Sequence, residues 1–202
     1  VARVKKDAED RRGDILDATL ELIEERGIDQ LRGADLAKRL GVSAGLIFYH
    51  FENLQTLVIS ALRHAARRDL DGLEAVLARS EGDVESRLRA VLREYGPTGT
   101  AFGWRLWVES WSASLRSPEL RAVVRDLDVG WRDVIVGLID EGVTAGVFAC
   151  PDPAGAGWRL TALLDGLAVQ QVVFDEAVTE RQMEEWTELA LQRELGLGAG
   201  RR

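Results

Sequence analysis

Cysteine is almost missing from this chain: among 202 residues there is one, Cys150. A single cysteine closes no internal disulfide, which fits a reducing, cytoplasmic setting. Histidine is nearly as scarce: the chain has His50 and His64, fourteen positions apart. With one cysteine beside them, no metal-ligand spacing arises. No apolar run reaches the roughly 18 residues of a membrane-crossing helix, and no signal-peptide pattern precedes the first helical segment. A soluble chain with no membrane partner is therefore expected. Four prolines and few β-branched runs leave an all-α fold. Without a strand, no glycine-rich phosphate loop of the strand-to-helix kind is present. Ser43, Ser110 and Ser112 lack a nucleophile arrangement. No catalytic residue, metal or cofactor is expected. A helical enzyme working through carboxylates alone is the residual enzymatic alternative.

Positive charge is in deficit, with 26 Lys+Arg against 34 Asp+Glu and a net charge of −8. The deficit is uneven: residues 1–70 carry 12 of each sign, and the other 132 carry 14 against 22. Hydrophobic residues make up 46% of the chain, enough to fill the core of one large or two small domains.

The most informative stretch is Gly33 to Phe51, GADLAKRLGVSAGLIFYHF. Leu36, Ala37 and Leu40 share one face at helical spacing. Gly41 stops that helix, because glycine takes a left-handed turn at little cost. Val42 fills the turn, and Ser43 caps a second helix from Ala44 to about Tyr49. Two short helices over a three-residue turn make a helix-turn-helix, whose second helix reads a DNA major groove. Ile47 and Phe51, four apart, are the core candidates. Candidate DNA contacts are Arg32, Lys38, Ser43, Ala44, Gly45, Leu46, Phe48, Tyr49 and His50. The alternative is a plain helical hairpin that buries its aromatics.

Gly27, Leu36-Ala37, Gly41-Val42-Ser43, Gly45, Phe48-Tyr49-His50-Phe51 and Leu57 together resemble the N-terminal signature of the TetR family of bacterial transcription regulators. The resemblance covers about Arg11 to Leu62. It implies a homodimer, an N-terminal domain that binds double-stranded DNA and a C-terminal domain that senses a small molecule. Three positions depart from the family pattern. Phe48 stands where a phosphate-touching tyrosine is usual. Leu54 stands where a lysine is usual. Arg32 stands near the usual Ser/Thr cap of the second helix. With a neutral N-terminal part, DNA affinity should rest on a few placed cations, helix N-termini and dimerisation.

Taken in order, residues 1–9 form a basic arm with Arg3, Lys5 and Lys6, read either as a DNA-contacting arm or as a solvated tail. Asp10 to Arg26 is the first helix, with Ile15, Leu16, Thr19, Leu22 and Ile23 inward. Asn53 caps a long fourth helix to about Ser80, which serves as a stiff connector. On it Arg63, His64, Arg67 and Arg68 form either a solvated face or a phosphate contact. Helices follow over 83–95, 100–115, 118–145 and 154–175. A last one, to about Leu195, opens at a Thr179/Gln182 capping box. The tail from Gly196 is expected to lack order. The result is nine helices: a three-helix DNA-binding domain over 1–52, joined by the long helix to a ligand-sensing and dimerisation bundle over 53–202.

All six tryptophans lie after residue 100. Trp104, Trp107 and Trp111 share a helix face; with Phe102 and Trp131 they offer aromatic surface for a small-molecule effector, with Arg105, Glu109 and Asp165 as polar partners. The alternative is that they are core. An apolar or aromatic effector is expected, one that tilts the fourth helix and lowers the affinity of a repressor for its palindromic operator. Leu160, Leu163, Leu164, Leu167, Ala168 and Gln171, flanked by Val169, Val172 and Val173 and joined by Trp186, form the expected dimer surface. A helix apolar nearly all round needs cover on all sides. A helix-turn-helix kept as a protein-interaction module without DNA binding is the remaining functional alternative.

Overall fold

The computed structural model describes residues 8–80, 82–96, 103–174 and 178–197. The expected basic arm (Arg3, Lys5, Lys6), the break at 97–99, Phe102, Asp175 and the tail from 198 lie outside the described residues. Among the described residues the fold is all-α: α1 (Ala8–Arg26), α2 (Gly33–Leu40), α3 (Ala44–His50), α4 (Leu54–Arg79), α5 (Val84–Tyr95), α6 (Trp104–Ser114), α7 (Pro118–Thr144), α8 (Pro153–Val173) and α9 (Glu180–Leu195). A single 3-10 turn, Ile28–Gln30, precedes α2.

Local chemistry sets the helix ends. Gly41 sits at φ 63°, and its neighbour Val42 donates its N–H to Ala37 O at 3.0 Å, the closing bond of a glycine-ended helix. Ser43 Oγ accepts from Leu46 N–H at 3.2 Å. Asn53 Oδ1 accepts from Thr56 N–H at 2.8 Å and starts α4. Asp83, Ser117 and Asp152 cap α5, α7 and α8 in the same way. Thr179 and Gln182 form the reciprocal capping box of α9. Arg32 caps nothing with its side chain; its guanidinium donates to Asp29 O and Leu31 O instead.

The chain groups into two compact units. The first takes residues 1–68 and 105–125. Its core is Ile15, Leu20 and Ile23 of α1, Leu31, Leu36 of α2, Ile47 of α3, Phe51, and Leu57, Ala61 and Leu62 of α4, all buried. Arg39 bridges Glu21 and Glu25, and Arg26 pairs with Asp35, tying α2 to α1 at its rim. Such exposed pairs contribute about 0–1 kcal/mol each, so the buried leucines and isoleucines hold the unit together.

The second unit takes residues 69–104 and 126–202. Val84, Leu88, Val91 and Leu92 of α5, Ile135, Leu138 and Ile139 of α7, Leu160 and Leu164 of α8 and Leu191 of α9 are buried there. Leu167, Val178 and Met183 close the α8–α9 corner. Arg89 reaches both Glu85 and Glu188, and Arg159 reaches both Asp152 and Glu194. No described helix is long and apolar enough to cross a membrane.

Candidate functional site

The helix-turn-helix presents α3 as the spacing predicts. Ile47 is fully buried and anchors the helix, while Ala44, Gly45, Phe48 and Tyr49 are exposed. Tyr49 is 83% exposed, an unusual position for a large aromatic that has no partner to meet. His50 lies edge-on to it, ring centroids 5.5 Å apart. Phe48 takes a different place: a Cβ built on Gly33 would lie 2.9 Å from its ring, so Phe48 covers the first turn of α2. Lys38 and Arg32 are both exposed. Arg12 of α1 stacks its guanidinium on the ring of Phe51, 4.8 Å from the centroid, just past the end of α3.

The second unit holds an aromatic cluster whose tyrosine reaches a carboxylate. Tyr95, at the end of α5, lies edge-on to Trp104 at 6.0 Å and to Trp131 at 5.3 Å between centroids. Its hydroxyl donates to Asp165 Oδ1 of α8 at 2.7 Å. Burial is the main reason Asp165 titrates at about 6, well above an ordinary carboxylate; Asp128 adds to the rise, and the Tyr95 hydroxyl and Arg132 oppose it. Burial and the facing Asp165 push the Tyr95 phenol up as well. Arg132 pairs with Asp128 at 2.8 Å and stacks on Trp158, 3.6 Å from its ring centroid. Among the described residues no group of three or more His, Cys, Asp or Glu is placed to hold a metal ion.

Residues 15–61 match the family model for bacterial regulatory proteins of the tetR family. Residues 84–196, more than half of the chain, match the C-terminal domain of BetI-type transcriptional repressors. The chain belongs to the TetR family. It is 30% identical over 160 residues to the HTH-type transcriptional regulator BetI of Escherichia coli, covering 78% of this chain and 80% of that one. A protein of Saccharomonospora viridis described as a transcriptional regulator, crystallised in complex with choline, superposes with a TM-score of 0.86 at 28% identity, over 93% of this chain and 98% of that one. A TetR-family regulator of Rhodococcus sp. superposes with a TM-score of 0.75 at 25% identity, over 93% and 99%. The protein is thus a DNA-binding, ligand-responsive transcription regulator of the TetR family.

Of the expected effector residues in this TetR-family chain, Trp104, Trp131 and Asp165 come together in the second unit. Trp107, Glu109 and Trp111 fall in the first. Trp107 is buried. Glu109 turns its carboxylate to the backbone ahead of α2: Ile28 N–H points at Oε2 from 3.5 Å, and a Cβ on Gly27 would lie 3.2 Å from Oε1. Sequence reasoning missed Tyr95 and Arg132. Tyr95 carried a signal, as one of two tyrosines in the chain, placed where α5 ends.

The expected dimer stripe also divides. Leu160, Leu164, Leu167 and Ala168 are buried within the chain itself, because they pack on its own helices. Gln171 is half-buried, with a buried Oε1 that has no hydrogen-bond partner among the described residues. Trp186 of α9 is 42% exposed. The apolar surface left on α8 and α9 is Trp158, Val172, Val173, Trp186 and Leu189. The flank of α8 named for its valines is therefore outward, and the leucine stripe inward.

Proposed function

We propose that the protein is a dimeric repressor released from a palindromic operator by a small quaternary ammonium cation of the choline type. The reading unit (1–52) presents α3 to DNA; the rest of the chain (53–202) senses and dimerises. Two α3 helices, one per protomer, enter successive major grooves about 34–36 Å apart. Tyr49 and the backbone at Ala44–Gly45 are the contacts this reading depends on most. The outward residues of α8 and α9 form the dimer face.

The observation that carries the effector reading is the half-buried carboxylate of Asp165 held by the hydroxyl of Tyr95, whose ring meets Trp104 and Trp131. Ring faces attract a cation by roughly 0.5–1 kcal/mol at exposed sites and by about 2 kcal/mol when desolvated. A wholly apolar ligand would desolvate the Asp165 carboxylate further and bring it no counter-charge, at a cost. A methylated ammonium answers both, with methyl groups for the rings and a charge for the carboxylate. The choline complex of the Saccharomonospora viridis protein supports the same chemistry. This departs from the apolar or aromatic effector that the tryptophans suggest in the sequence. Trp104 opens α6, and Glu109 on the same helix meets the backbone ahead of α2.

Calorimetric titration with choline and with its uncharged carbon isostere, 3,3-dimethylbutan-1-ol, tests the effector. Choline should bind at least tenfold tighter and should release an in vitro selected operator in a gel shift. Equal affinity for the two compounds would remove the cation from the account.

A further inference from the structure

The DNA-reading unit carries a second charged feature, away from α3. Between α1 and α4 lies a recess of about 160 Å³ lined by Arg12, Leu16, Ser60, Arg63, His64 and Arg67. Arg63 and His64 stand three and four residues after Ser60, and four and three before Arg67, so the four share one face of α4. Arg63 and Arg67 are like charges four apart, an arrangement that is unfavourable on an empty helix surface. Elsewhere in this chain arginines at helix junctions meet carboxylates, as Arg39, Arg89 and Arg159 do. Here no carboxylate of the described residues lies within ion-pair distance of Arg12, Arg63 or Arg67. The nearby acid on α1, Asp17, is engaged by His64 Nε2 at 3.1 Å and by Arg68 at 2.8 Å. Arg12 is held in place by its stack on Phe51, the residue that closes α3.

We infer that this recess is a phosphate site. Its donor set is three guanidiniums with a serine hydroxyl beside them, the chemistry that grips a tetrahedral oxyanion. The phosphate has two possible sources: a phosphodiester of the operator backbone, or a free phosphate group in solution. The first source rests on the DNA-binding reading; the second does not. Proximity to Phe51, and through it to α3, favours the backbone phosphate. The site would supply part of the cationic contact that the chain lacks at Leu54.

The double variant R63Q/R67Q tests it. Both side chains are exposed, so the fold should survive, and a melting curve matching the unmodified protein checks this. For a backbone phosphate, the slope of log K against log salt on a selected operator should fall by about 1.8 in magnitude, the share of one phosphate for each protomer of the dimer. R63K/R67K should restore most of that slope. For a free anion, inorganic phosphate titrated at fixed ionic strength without DNA should bind the unmodified protein and not R63Q/R67Q, with the operator slope unchanged. An unchanged slope together with no phosphate binding to the unmodified protein would overturn the proposal. If the unmodified protein binds no duplex at low salt, the DNA-binding reading fails instead, and the phosphate titration alone decides the recess.

Discussion

Asp165 is a residue whose position gives it two measurable consequences. Its carboxylate titrates at about 6 in the folded chain because burial disfavours the charge. A permanently charged ammonium prefers the ionised form, so choline affinity should be flat above about pH 7. Below pH 6 it should weaken by up to tenfold per unit. Calorimetry across pH 5 to 8 checks this, and N in place of Asp165 should both weaken binding and flatten the profile. Stability moves the other way. The folded chain holds this proton over the window from the ordinary carboxylate value up to about 6, where the unfolded chain has lost it. Stability from this group is therefore fully present below that window and is lost as pH climbs through it. Asp165→Asn should accordingly raise the melting temperature at pH 7 while it lowers choline affinity. A variant that lost both would show that the side chain is only structural.

At the scale of the element, the turn between α2 and α3 separates two costs that are often confounded. A Cβ on Gly41 would meet nothing within 4 Å, yet the residue sits at φ +63°. Gly41→Ala should therefore cost about 1–2 kcal/mol from backbone conformation alone. Ser43→Ala loses the cap on Leu46 N–H and should cost about 1 kcal/mol. Denaturant unfolding of each variant checks both figures, and because the turn seats α3, operator affinity should fall with them. Gly33 presents the opposite case. Its Cβ would press on the Phe48 ring at 2.9 Å, so there crowding rather than φ restricts the residue. Phe48 is thereby explained without any DNA contact: the ring covers the small residue that opens α2.

For the whole molecule, the distribution of apolar residues on α8 and α9 bears on assembly. Leu160, Leu164 and Leu167 of α8 are buried in the chain's own core, while Trp158, Val172, Val173, Trp186 and Leu189 are exposed. Large exposed apolar groups gathered on neighbouring helices mark a protein-interaction surface, and tryptophan is the residue type enriched among binding hot spots. Trp186→Glu should shift the protein from dimer to monomer in sedimentation, with helix content unchanged and operator affinity reduced because both α3 copies no longer bind together. A variant that stayed dimeric would move the interface to another face.

Much of this was legible in the chain itself. Gly41, Ser43, Asn53, Asp152 and the Thr179–Gln182 pair set helix ends through local backbone chemistry, and local chemistry is written in consecutive residues. Ile47 and Phe51 were recognisable as core because their partners on one helix face recur at helical spacing. What the sequence left open was direction. Periodicity shows that α8 is apolar on two sides, but not which side meets α7 and α9 and which meets solvent; packing alone turned Leu160 and Leu164 inward and Val172 and Val173 outward. In the same way Trp104, Trp107 and Trp111 share a helix face, yet only the tertiary structure places Trp104 with Tyr95, Trp131 and Asp165, residues 36 and 70 positions apart along the chain from Tyr95 in the last two cases. Helix type and ends follow from interactions within a few residues. A site follows from contacts between helices, which no short window of sequence contains.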